Sequence, residues 1–447
     1  MNILLAHFRV GETDGVSLEM DKWKSALQAL GHNIYYLAGS QGNCQAECIE
    51  ELHYLDSFND QIIQNAYVEL SDFTDDAELI ASIHKQAKCI EDKIAKAIVK
   101  LDIDIIVPNN IWSLGYHLPA AIGLYQAVKS TGIKAICHHH DFHWEREKYS
   151  NPTCPAITEL LDCYFPPKDD SIQHCVINHI AQKELKARRG IESNVVPNVF
   201  DFHNSDWHID EYNQDLRSRF NIRPHDVMFL QATRIVARKG IELAIDHIAA
   251  LEKNRDELVG KTLYNGQIFT EESRLILTFA GMSEEAPYLQ KLIDKAKSLN
   301  VELLFINDVV AHSRSSQQDS KIYSLWDVYA HADMITYPSL LEGWGNQFLE
   351  GLIAKLPMIV YRYPVYATDI EQSQFDIIDL GDKHQIDANG LAYIDRSIND
   401  KAVQQTIHYL TDAKDRADKM ARNYQIGEDS FSYPVLQRVL EGIFKAC

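Results

Sequence analysis

The sequence predicts an α/β protein made of two doubly wound, Rossmann-like domains that face each other across a cleft. Three observations lead there. Short β-branched runs alternate with segments of helical period, the pattern of a parallel sheet wound by helices. The alternation breaks at a polar, aromatic-sprinkled stretch, Asp201 to Pro224, and then restarts. The chain has 447 residues, more than one core organises at about 100 to 200 residues per domain.

The first strand is expected at Asn2 to His7. After a glycine-containing loop, Met20, Trp23, Leu27 and Leu30 share one helix face, and the helix stops at Gly31. A strand follows at Asn33 to Ala38. The longest helix runs from about Asp76 to Lys100, with Leu79, Ile83, Ala87, Ile90, Ile94 and Ile98 as its apolar stripe. Strands are expected at Ile103 to Pro108, Lys134 to Cys137, Ile172 to Ile177 and Asn194 to Val196. The second half restarts with Val227 to Leu230. It continues with strand Leu275 to Ala280, helix Tyr288 to Leu299, strands Glu302 to Phe305 and Met334 to Tyr337, a helix from about Asn346, and strand Met358 to Tyr361. The domains are therefore expected at 1–200, with a C-terminal helix at 430–447 packing back on the first, and at 201–429. Sheets of this kind bind ligands outside the carboxyl ends of their strands.

Composition narrows the function. There are 43 Lys and Arg against 64 Asp and Glu, a net charge of −21, which disfavours nucleic acid and anionic lipid as partners. No stretch approaches the ~18 to 20 apolar residues of a membrane span, and no signal peptide opens the chain, so a cytoplasmic protein without integral membrane contact is expected. The eight cysteines (44, 48, 89, 137, 154, 163, 175 and 447) lack paired CxxC spacing and read as reduced thiols.

Three stretches carry chemistry. In Tyr337 to Glu350 a strand ends, a two-glycine turn follows, and a helix begins near Gly345 or Asn346, offering backbone N–H groups to phosphate oxygens. Its carboxylates, Glu342 and Glu350, suit sugar hydroxyls. Gln231 to Gly240 carries Arg234, Arg238 and Lys239 from a strand toward a helix start, where cations oppose the macrodipole unless an anionic leaving group faces them. Cys137 to Tyr149 holds His138, His139, His140, Asp141 and His143 at the mouth of the first sheet. Consecutive strand residues point to opposite faces, so the three adjacent histidines cannot converge on a metal, and a catalytic or substrate-contacting histidine is expected instead. Asp102-Ile103-Asp104 mimics a metal-binding DxD but flanks an apolar strand, and the loop Gly11 to Gly15 lacks dinucleotide-binding spacing.

On these residues the sequence resembles retaining glycosyltransferases of the GT-B fold, glycosyltransferase family 4, over nearly the whole chain. The marks are the E-x₇-E pair Glu342 and Glu350, the Arg234 to Lys239 stretch, Val196-Pro197-Asn198, the His-Asp near residue 140, and the Phe431 to Phe444 helix. Within that family His138 to Arg146 and Glu342 to Asn346 are similar to the mannosylglucosyl-3-phosphoglycerate synthases. The resemblance implies a hexosyl (mannose or glucose) transfer in carbohydrate biosynthesis, from a nucleotide-diphosphate sugar, GDP-mannose or UDP-glucose, to a hydroxyl of a soluble, anionic acceptor. It implies no metal and no cofactor beyond the donor.

In that scheme Arg234 and Lys239 grip the diphosphate, Glu350 holds the ribose, and Glu342 contacts the transferred sugar. Gly343, Trp344, Gly345, Asn346 and Gln347 support sugar and phosphate, and Gly15 lies where donor and acceptor meet. His140 matches the histidine near the anomeric carbon, with His138 or His139 as alternatives if the strand ends elsewhere. Trp344 stands where the family usually has Phe. Arg9, Arg146 and Lys148 are the expected acceptor contacts. A sugar-nucleotide 2-epimerase of the same fold and a nucleotide-sugar-binding non-enzyme are the rival readings, and the oligomeric state is left open.

Overall fold

The computed structural model describes every residue except 13, 204–206, 318–319 and 447. Residue 13 of the glycine loop, residues 204–206 of the polar stretch and Cys447 thus lie outside the described residues. The chain forms two compact units, Met1–Val199 with Tyr433–Cys447, and Phe200–Ser432.

The first unit is built on strands β1 (Asn2–Ala6), β2 (Asn33–Ala38), β3 (Glu47–Cys48), β4 (Ile105–Pro108), β5 (Lys134–His139), β6 (Ile172–Val176) and β7 (Asn194–Val195). They pair in parallel in the order β3-β2-β1-β4-β5-β6-β7, so the winding direction reverses between β1 and β4. Successive residues of β1 feed opposite faces: Ile3 and Leu5 enter one cluster, Leu4 and Ala6 the other. Both faces are covered, which is why these strands read as unbroken apolar runs.

Helix α1 (Gly15–Ala29) starts where the Asp14 carboxylate accepts from Val16 and Ser17 N–H. The six stripe residues of α2 (Asp76–Lys100) are all buried. Against them lies α3 (Leu118–Thr131), close enough that a Cβ on Gly123 would sit 2.5 Å from the Ala87 carbonyl oxygen. The C-terminal helix Tyr433–Ala446 buries Leu436, Leu440, Ile443 and Phe444 in the cluster that holds Met20, Trp23 and Leu27 of α1.

The second unit repeats the plan with β8 (Val227–Gln231), β9 (Leu275–Phe279), β10 (Glu302–Phe305), β11 (Met334–Tyr337), β12 (Met358–Val360) and β13 (Ile378–Asp379). These are parallel in the order β10-β9-β8-β11-β12-β13, and the reversal falls between β8 and β11. The described residues of the polar stretch are packed, not loose. Trp207 stacks on Trp326 at 4.1 Å, and the buried Asn213 donates to the Asp327 carboxylate at 2.9 Å. Helices α4 (Ile241–Lys253), α5 (Ala286–Leu299) and α6 (Asn346–Ile353) cover this sheet. No helix of the described residues is long and apolar enough to cross a membrane, and the seven described cysteines are free of disulfides.

Candidate functional site

In the second unit the two loops that flank the β8/β11 reversal are joined to each other. Leu340 and Leu341 N–H both bond the Arg238 carbonyl, at 2.9 and 3.3 Å. Gly240 makes the approach possible: its φ is +55°, and a Cβ there would lie 2.5 Å from the Pro338 carbonyl oxygen. The result is a buried ion pair. The Lys239 ammonium donates to Glu342 Oε1, and Arg238 donates to Glu342 Oε2 at 3.0 Å. The side chains of Lys239 and Glu342 are only 10% and 9% exposed. Burial would raise the Glu342 carboxyl, but the Lys239 charge and hydrogen bond, with Ser339 and Arg238, outweigh it and hold the group below the ordinary carboxylate range.

Arg234 stands apart from this pair. It is half exposed and bridges to Glu284, which precedes α5. Arg238, the third cation of the Gln231 to Gly240 stretch, takes the place beside Glu342 that the resemblance would give to Arg234.

Gly345, at φ +125°, caps the start of α6, and any Cβ there would collide with the Tyr363 hydroxyl at 2.1 Å. That hydroxyl donates to the Trp344 carbonyl at 2.7 Å and so shapes the turn after Gly343. The Trp344 ring packs edge-on against Phe431 at 5.5 Å. Asn346 opens α6, Gln347 is buried in its first turn, and Glu350 lies one turn inside, accepting from the Tyr329 hydroxyl at 2.6 Å.

In the first unit the corresponding reversal lies between β1 and β4, and His7 spans it, its Nδ1 bonded to the Asn109 carbonyl at 2.8 Å. Strand β5 runs two residues beyond the expected end at Cys137 because β6 pairs with it as far as His139–Val176. His138 and His139 therefore lie within the strand and are buried.

His139 faces Cys137 and His174, whose ligand atoms come within 4.8 Å of its own. The rings of His139 and His174 bond one another at 3.0 Å, and His174 also bonds the Pro167 carbonyl, so hydrogen bonds hold the two histidines. His138 turns to the opposite face and stacks on Trp23 at 4.5 Å. His140 is left at the strand end, partly exposed, with its ring 4.3 Å from that of His138. Burial first, then the neighbouring His138 and His7 imidazoles that disfavour a further charge beside them, push the His140 imidazole well below its usual range, so it is neutral at pH 7.

Gly15 is the first residue of α1, and a Cβ on it would meet no described atom within 4 Å. Arg9 leans on the Tyr54 ring at 4.8 Å and pairs with Asp14 at 3.2 Å. Arg146 is held by Asp141, with its Nε 2.7 Å from Oδ2, yet its side chain stays 58% exposed. Lys148 lies over Tyr149 at 5.6 Å. The Asp102/Asp104 pair sits at the opposite end of β4, where Asp104 accepts from Asn2 N–H at 2.8 Å.

Missed from the sequence were Asn109, Asn110 and the buried pair Glu19–Lys22 on α1. An Asn-Asn step at the carboxyl end of an apolar strand was the available signal. Asn110 adopts φ +56° and accepts from His140 N–H at 2.7 Å while donating to Asp141 at 2.9 Å.

Comparison with known proteins adds the following. A family model described as glycosyl transferases group 1 matches residues 213–424. The chain is 42% identical over 434 residues to the mannosylglucosylglycerate synthase of Petrotoga mobilis, spanning 96% of this chain and 98% of that protein. It is 36% identical over 440 residues to the synthase of the same name from Thermotoga maritima, spanning 98% and 99%. Among solved structures it is similar to a Rickettsia africae glycosyltransferase (TM-score 0.59, 14% identity, 100% and 98% covered) and to the sucrose-phosphate synthase of Thermosynechococcus elongatus (TM-score 0.57, 13% identity, 100% and 98% covered). At such identities these structures show the fold alone.

Proposed function

The chain belongs to the group 1 glycosyl transferases, in the family of the two mannosylglucosylglycerate synthases, and from that premise we propose that it moves a mannosyl or glucosyl group from a nucleotide-diphosphate sugar to a hydroxyl of a small anionic acceptor, with retention at the anomeric carbon and without a metal. The observation that carries this reading is the buried Lys239–Glu342 pair, braced by Arg238 where the second sheet reverses. It presents cations and a carboxylate together, the set a donor needs at its diphosphate and at its sugar hydroxyls.

Breaking the bond from the anomeric carbon to the diphosphate sends the electron pair to the leaving oxygens and builds positive charge on the sugar. Lys239, with Arg234 and Arg238 nearby in sequence, stabilises the leaving charge. Fixed donors of this kind are each worth ~3 to 4 kcal/mol in the transition state. Glu342 orients the sugar, Glu350 the ribose, and the backbone from Gly343 to Gln347 supports both. The acceptor oxygen bonds to the anomeric carbon on the face the diphosphate leaves, and its proton passes to a departing phosphate oxygen, which accounts for retention without a protein nucleophile.

A neutral His140 accepts a sugar hydroxyl without adding a cation beside the developing positive charge. Arg9 and Arg146, each oriented by a carboxylate, and Lys148 suit an anionic acceptor; the glycerate in the relatives' names is such an anion. A donor panel of GDP-mannose, UDP-glucose, ADP-glucose and UDP-N-acetylglucosamine, scored by thermal shift and then by turnover with glucosylglycerate, tests the reading. Stabilisation and transfer with one hexosyl donor are expected; an epimerised donor in the absence of acceptor would replace it with the epimerase reading.

A further inference from the structure

We propose that Asn109 is a positioning residue that fixes the tautomer of the His140 imidazole, leaving His140 able only to accept a hydrogen bond at Nδ1; the catalytic consequence rests on the reading of His140 given above. Asn109 follows β4 and is buried. Its Nδ2 lies 3.2 Å from the Val107 carbonyl oxygen. A carbonyl only accepts, so the orientation of the amide is set and Oδ1 is the atom turned toward β5. That oxygen lies 3.2 Å from His138 Nδ1 and 3.5 Å from His140 Nε2.

An amide oxygen donates nothing, so both of these ring nitrogens carry the proton. His138 is then the Nδ1–H tautomer, and its Nε2, buried with no hydrogen-bond partner among the described residues, is the lone pair. His140 is the Nε2–H tautomer, with the lone pair at Nδ1. The main chain on both sides of this contact is held in place. Asn110 Oδ1 takes the His140 N–H at 2.7 Å, and the Asn109 carbonyl is tied to His7 across the sheet reversal. At 3.5 Å the contact is long for a hydrogen bond, within the range of catalytic hydrogen bonds that tighten in the Michaelis complex.

The charged and titratable groups that face His140 are His7 after β1, Asp14 before α1, Lys22 on α1 and His138 on β5, with Asp141 next in the chain. Asn109 is neutral among them. An amide there orients the ring without stabilising the imidazolium; a carboxylate would do both. That difference separates positioning from mere packing.

Nitrogen-15 NMR of the full-length protein labelled at histidine, with His140→Gln used to assign the ring, reads the tautomer without reference to activity. The Nε2–H form is expected, giving way to a mixture in Asn109→Ala. The near-isosteric Asn109→Asp, which keeps the test open if the alanine variant does not fold, is expected to move the acid limb of the kcat/KM profile upward by about one pH unit or more. Asn109→Ala, which loses the single tautomer, should lower kcat at least tenfold with the donor KM changed less than about threefold, because the ring acts on the transition state. An Nδ1–H tautomer in the parent protein, or Asn109→Asp with unchanged ring shifts and pH profile, overturns the proposal. Full activity in His140→Ala would instead overturn the role assigned to His140, and the catalytic consequence with it, whatever the tautomer.

Discussion

Replacing Lys239 with methionine separates what the buried pair does for the fold from what it does for the reaction. Methionine keeps most of the side-chain volume and removes the charge. Glu342, with its side chain 9% exposed, is left with Arg238 Nη1 at 3.0 Å and the Ser339 hydroxyl. Removing one partner of a buried pair costs ~3 to 5 kcal/mol. Because Arg238 remains, the lower end applies, about 3 kcal/mol. In a unit of roughly 230 residues, at about 2 to 4 °C per kcal/mol, this lowers its melting temperature by about 6 to 12 °C. The double variant Lys239→Met/Glu342→Gln removes both charges and is expected to recover most of that loss, since replacing both partners of a buried pair is often close to neutral.

Activity should not follow stability. Both variants lose a donor aimed at the leaving diphosphate and should fall at least ~100-fold in turnover. The measurements are differential scanning calorimetry and release of nucleoside diphosphate from the sugar donor. A single variant as stable as the parent, or a double variant less stable than the single, would refute the ion-pair account; a single variant with parental turnover would refute the catalytic one.

Gly240→Ala should separate the two loops, because a Cβ at φ +55° would lie 2.5 Å from the Pro338 oxygen. A loss of about 1 to 3 kcal/mol of stability and a turnover reduction of tenfold or more are expected from melting and initial-rate assays. Burial pushes His117, His174 and His247 down from 6.5 to about 4. Between those values the unfolded chain binds protons that the folded chain refuses, so stability falls as pH drops from 6.5 toward 4, by about 1.4 kcal/mol per unit per histidine. Urea melts across this range should show that slope; a stability independent of pH there would contradict the burial of these rings. Glu342 acts further down: its folded carboxyl lies below 4.5, so its contribution is present above that value and fades as pH falls through the folded value, and Glu342→Gln should remove this component from the same melts. EDTA dialysis is expected to leave turnover unchanged, and abolition reversed by a divalent ion would end the metal-free mechanism.

What was legible in the sequence follows from how locally each feature is encoded. The stripe from Leu79 to Ile98 and the apolar runs Ile3 to Ala6 and Val227 to Leu230 announce their elements because one period dominates each. Helix α3 is not marked by a period because Leu118 to Leu124, its first two turns, are buried on every side, and an apolar stretch buried all round has no period to find. Strand β3 is two residues long and exists only through its neighbour β2. The end of β5 was misplaced because histidines signal a loop by composition, whereas pairing with β6 carries His138 and His139 into the sheet. At the candidate site, motif spacing located Lys239 and Glu342 separately. That they touch, and that Arg238 and not Arg234 accompanies them, depends on β8 lying beside β11, which is a matter of topology. Asn109 was invisible for the same reason: its partners lie 29 and 31 residues away.

The most direct test of the central claim is to incubate the protein with GDP-mannose and glucosylglycerate and to follow the anomeric proton of the product by NMR. Formation of a disaccharide glycerate whose new linkage keeps the α configuration of the donor is the expected result. No transfer from any hexosyl nucleotide, or a product of inverted configuration, would contradict the account.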